Sequence, residues 1–119
     1  MNNRILLKCD TIRIPAVMNN TAAARDFKRR LPVTVSGRRS ADSYSFPVAV
    51  GCFDPEETQT DWKAGDISIS GGRLRVFFDG GEASVNFAGA TVIAHIRKRD
   101  LHLIHKFPDN VRLTIEAAE

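Results

Sequence analysis

From Asn19 to Pro32 the chain carries its one strong helical signal, set in a sequence that otherwise alternates at the two-residue period of β-strands. Asn19 stands where an N-cap would accept hydrogen bonds from the unpaired N–H groups of a first turn. Ala23, Ala24, Phe27 and Leu31 then recur at three- and four-residue spacing, which lines up one narrow apolar stripe. Arg25, Lys28 and Arg29 fall on the far side, and Pro32 ends the segment. A chain with one helix of about residues 20–31 and many short strands can bury its apolar faces only in a sandwich or a barrel.

The strands follow from alternation. Arg4 to Cys9 and Thr11 to Val17 read as a pair joined by a tight turn near Asp10. Val33 to Val35 begins a third strand, and Ser36 to Ser45 reads as a polar loop. Phe46 to Phe53 reads as a further strand, followed by an acidic loop from Asp54 to Asp61. Asp66 to Ser70 and Arg73 to Phe78 form a hairpin across Gly71-Gly72, a connection that tolerates positive φ. Ala83 to Phe87 and Thr91 to Arg97 add two strands, and Val111, Leu113 and Ile115 mark a closing one. Asp100 to Phe107 reads as a short second helix or a turn. The expected fold is mainly β, about eight strands with one helix, as a single domain over residues 1–119.

Composition narrows the functional classes. A net charge of +3 comes from short basic groups, Lys28-Arg29-Arg30, Arg38-Arg39 and Arg97-Lys98-Arg99. Such runs are expected to be solvated surface, so nucleic acid is not the expected partner. No apolar run approaches the ~20 residues of a membrane span. Cys9 and Cys52 read as free thiols, the start of the chain does not read as a signal peptide, and a reducing cytoplasm is the expected compartment. His102 and His105 lack a third ligand in a zinc-like pattern, so neither a metal nor another cofactor is expected. No serine sits in a Gly-x-Ser-x-Gly elbow, and neither Gly71-Gly72 nor Gly80-Gly81 opens a helix as a phosphate loop would.

The order of marks along the chain is specific. An opening strand pair is followed by Asn19, Thr21 and Ala22, then Leu31-Pro32, then Gly65-Asp66-Ile67, then Phe77-Phe78-Asp79-Gly80. In that order the chain resembles the compact bacterial cyclophilin-like family. The resemblance implies a small closed β-barrel with the helix plugging one end, and no particular activity. The chain departs from the family in two places. Ala94-His95-Ile96 stands where members often carry Gly-Arg-Ile, and Ser68 and Ser70 replace aromatic positions.

Prolyl isomerisation would need an apolar pocket for the proline ring and a guanidinium to stabilise the twisted amide, whose rotation barrier is ~18–20 kcal/mol. Large cyclophilins supply these groups from Phe-His-Arg and Gln-Gly-Gly-Asp segments. Neither is present, and Ala64-Gly65-Asp66 is only a partial echo. Alternation from Arg73 to Phe78 turns Leu74, Val76 and Phe78 inward and Arg73, Arg75 and Phe77 outward. An exposed Phe77 beside two guanidinium groups would suit an acidic or aromatic ligand; otherwise a loop or a neighbouring subunit covers it. His95, placed on one face with Ile93 and Arg97, stands at the family's arginine position, or is simply a hydrogen-bonded surface histidine. Trp62 reads as a lid.

The expected function is therefore a non-catalytic binding module for a small molecule or peptide. Its groove is built from Arg75, Phe77, Phe53, Phe87 and His95, on a monomer or homodimer. The alternative is a weak peptidyl-prolyl cis-trans isomerase using Arg75, Arg38 or Arg39.

Overall fold

The computed structural model describes residues 3–82 and 89–118. Eight strands close a barrel in the order β1-β10-β3-β4-β7-β6-β9-β2. They are β1 (Arg4–Cys9), β2 (Ile12–Met18), β3 (Val33–Arg39), β4 (Ser43–Pro47), β6 (Asp66–Ser70), β7 (Arg73–Phe77), β9 (Thr91–His95) and β10 (Asn110–Ala117). Two short strands, β5 (Asp61–Trp62) and β8 (Gly81–Glu82), pair outside the barrel. Alternate residues fill the interior: Leu7, Ile14, Phe46, Leu74, Val76 and Leu113 are fully buried. Among the described residues no helix is long and apolar enough to cross a membrane.

The helix α1 (Ala22–Arg29) buries Ala23, Ala24 and Phe27, the stripe read from the sequence. It is shorter than residues 20–31, and its cap is Thr21 rather than Asn19. Thr21 Oγ1 accepts from the Ala24 N–H at 3.2 Å. Asn19 instead braces the cap, its Oδ1 accepting from the Thr21 N–H at 3.1 Å while its amide donates to the Val92 carbonyl. Glu57 Oε1 accepts from the Ala22 N–H at 2.9 Å and ties the helix start to the Pro55–Glu57 3-10 turn.

Three boundaries differ from the sequence reading. The expected loop from Ser36 to Ser45 is largely strand, because β3 runs through Gly37 to Arg39 and β4 starts at Ser43. A Cβ at Gly37 would stand 2.0 Å from the Ser45 carbonyl oxygen, so the glycine permits a close strand approach rather than a turn. The strand expected over Phe46 to Phe53 ends at Pro47, which has no N–H to continue a ladder. The segment expected over Asp100 to Phe107 as a short helix or turn is a 3-10 helix that starts two residues earlier and ends one earlier, Lys98–Lys106, with Ile104 buried and Phe107 as its extended cap. Tyr44 closes the interior near its end, donating to the Phe107 carbonyl at 3.0 Å. The expected strand Ala83 to Phe87 lies outside the described residues.

One irregularity reorients the wall. Ile67 pairs with Ala94 but Ser68 pairs with Val92, leaving Ile93 as the extra residue of a bulge in β9. Ile93 and Ala94 are consequently both buried, and Val92 and His95 face out. The expected grouping of His95 with Ile93 on one face is thereby corrected.

Candidate functional site

On the outer wall, β6 and β7 lay down a ladder of polar pairs. Ser68 is opposite Arg75 and Ser70 is opposite Arg73. Val92 of β9 continues this floor beside Ser68. Above it stands the segment that leads into β5. Gln59 is held to Ala90 by two backbone hydrogen bonds of 2.8 and 3.0 Å, and its side-chain amide donates to the Asp61 carbonyl at 2.9 Å. Floor and segment enclose a cleft of about 230 Å³ lined by residues that include Arg73, Arg75, Trp62 and Phe77.

The aromatic wall is a stack. Trp62 lies over Phe77 with ring centroids 4.8 Å apart and an interplanar angle of 19°. Phe77 points outward as alternation requires, yet is only 2% exposed. Of the two readings open for Phe77, exposed or covered, the covered one holds, and the cover is Trp62 from the segment beside the acidic loop. The β5–β8 pairing holds the indole there: Gly81 pairs with Trp62, and a Cβ at Gly81 would stand 3.2 Å from the indole ring. Trp62 Nε1, which is buried, has no hydrogen-bond partner among the described residues. Among the described residues neither Arg73 nor Arg75 forms an ion pair, and Arg73 reaches only Ser45 Oγ, at 3.4 Å. The cleft therefore offers guanidinium charge, serine hydroxyls and an aromatic edge together.

The other expected site residues separate from this cleft. His95 stands on the outer wall beyond it, with Nδ1 2.8 Å from Asp66 Oδ1; Asp66 Oδ2 also accepts from the Lys63 N–H at 2.8 Å. That is a hydrogen-bonded surface histidine. Phe53 lines a different cavity, with Arg30 and Cys52. Arg38 lies on the wall formed with β10, and the Arg39 guanidinium sits 5.2 Å over the Phe78 ring. Phe87 lies outside the described residues. Gln59, Asp61 and Val92 escaped the sequence reading; Gln59 sits in a segment with no periodicity, Asp61 opens a two-residue strand too short to show any, and the bulge hides the third. Among the described residues no group of His, Cys, Asp and Glu side chains is arranged to hold a metal ion.

Comparison with known proteins gives the lineage without a chemistry. No curated protein matches. In structure the chain is similar to the hypothetical protein AF2241 from Archaeoglobus fulgidus, with a TM-score of 0.70 and 14% sequence identity over 98% of this chain and 95% of that one. At that identity the likeness concerns the fold alone. A family model described as the cyclophilin-like family matches residues 7–116. With the barrel, the helix and that match agreeing, the chain belongs to the cyclophilin-like family.

Proposed function

We propose that the protein is a non-catalytic binding module whose cleft over β6 and β7 takes a small molecule or peptide bearing an anionic group beside an apolar one. The observation that carries this reading is the pairing of Arg75 with the Trp62–Phe77 stack in one cleft. With no carboxylate partner among the described residues, the Arg75 guanidinium offers a planar fork to a carboxylate. Ser68 and Ser70 widen the floor where aromatic side chains would fill it.

Trp62 is the single tryptophan of the chain, so its fluorescence reports on the cleft directly. Titration with benzoate is expected to change that emission saturably. Arg75→Ala is expected to weaken the response at least about tenfold, the scale of a lost charge-assisted hydrogen bond, with the circular dichroism of the barrel unaltered. Unchanged affinity in Arg75→Ala would sink the reading.

A second reading rests on the same contact. Arg75 beside Phe77 and Val92 places a guanidinium next to apolar surface, the two groups that prolyl isomerisation needs. Rate enhancement on an Xaa-Pro peptide, lost in Arg75→Ala, separates it from simple binding.

A further inference from the structure

A second cavity of about 240 Å³ adjoins the cleft and shares Ser70 and Ala90 with it. The hydrogen bond from Ser70 Oγ to the Gly89 carbonyl, 3.2 Å long, lies between the two. The cavity is reached past the segment after β4, which helix α1 anchors. Arg30 donates to the Ala49 carbonyl at 2.9 Å and pairs with Asp26 at 3.3 Å, while Asp26 accepts from the Cys52 N–H.

Two features of this cavity are unexplained by folding. The described residues include three large apolar side chains that are clearly exposed, and two of them, Val50 at 75% and Phe53 at 56%, stand at its opening. Exposed apolar side chains gathered around a concavity mark a binding surface more than scattered ones do. In its wall, Thr91 is 1% exposed, and among the described residues neither its Oγ1 nor the buried Arg30 Nε has a hydrogen-bond partner. Buried polar atoms left without partners are rare in folded proteins, and a ligand atom is one way to satisfy them.

We infer that this cavity is a second binding site, for a small uncharged, largely apolar molecule carrying one oxygen acceptor, such as a ketone. The volume exceeds the ~150 Å³ of an apolar cavity that takes up benzene, so a substituted ring fits. The apolar opening takes the ring. The Thr91 hydroxyl donates to the oxygen. The ligand is uncharged because the one guanidinium in the wall is already neutralised by Asp26.

The test is a titration of the isotopically labelled protein with acetophenone, followed by amide and indole shifts. Shifts are expected at Gly51, Cys52 and Thr91, which line this cavity and not the cleft, with the Trp62 indole unmoved. Thr91→Val, which keeps the shape and removes the hydroxyl, is expected to weaken acetophenone about three- to tenfold and to leave cumene, which lacks the oxygen, unaffected. Phe53→Ser, an exposed position whose change cannot unfold the barrel, is expected to weaken both. Absence of shifts at those residues overturns the site. Equal affinity of Thr91→Val for acetophenone, or benzoate binding there as well as acetophenone, overturns the ligand class. Because benzoate at Trp62 is read separately, the cleft and this cavity succeed or fail independently.

Discussion

At the scale of single residues, Phe77 shows how a side chain can face outward and still be buried. Alternation along β7 turns it away from the interior, and Trp62 then covers it. Trp62→Ala is expected to uncover Phe77 and open the cleft, raising binding of a hydrophobic fluorescent dye such as ANS while the barrel keeps its far-ultraviolet spectrum. Gly37 carries the opposite lesson: it looks like a chain breaker and is a packing requirement. With the Ser45 carbonyl 2.0 Å from where a Cβ would stand, Gly37→Ala is expected to cost about 1–3 kcal/mol in urea unfolding, as overpacking does. The thiols differ too. Burial, and secondarily Asp10, pushes the Cys9 thiol above its ordinary pKa, whereas Cys52 is exposed. At pH 8 iodoacetamide is expected to label Cys52 in the folded protein and to reach Cys9 only after denaturation; prompt labelling of Cys9 would contradict its burial.

Among the elements, those with strong periodicity were legible and those shaped by a single exceptional residue were not. The stripe of α1 and the hairpin of β6 and β7 follow from residue spacing alone. The helix start did not, because Asn19 and Thr21 are both competent caps and only the tertiary bond from Asn19 to Val92 decides between them. Thr21→Ala is expected to lower stability by about 1 kcal/mol, the usual value of a lost cap. The bulge at Ile93 leaves no trace in a sequence pattern that counts by two, so alternation places His95 on one face with Ile93, which the structure buries. Two of the five residues of the expected groove, Arg75 and Phe77, lie in the cleft because one strand carries both. Phe53 and His95 belonged to other segments, and their placement depended on where a loop and a bulge sent them.

For the molecule as a whole, closure of the barrel leaves the inner face to packing and gives chemistry to the outer wall. The eight-strand order brings β6 and β7 side by side, and β9, carrying Val92 and Thr91, alongside β6. Thus one strand borders both the charged cleft and the neutral cavity, Val92 facing the first and Thr91 the second. The cleft is proposed to bind without catalysing. Two-dimensional exchange NMR of acetyl-Ala-Pro with a free carboxylate, mixed with the labelled protein, tests it in one sample. The predicted result is a shift of the Trp62 indole and the Arg75 amide with cis/trans exchange of the peptide at its uncatalysed rate. Accelerated exchange, or a cleft that the peptide leaves unperturbed, would contradict it.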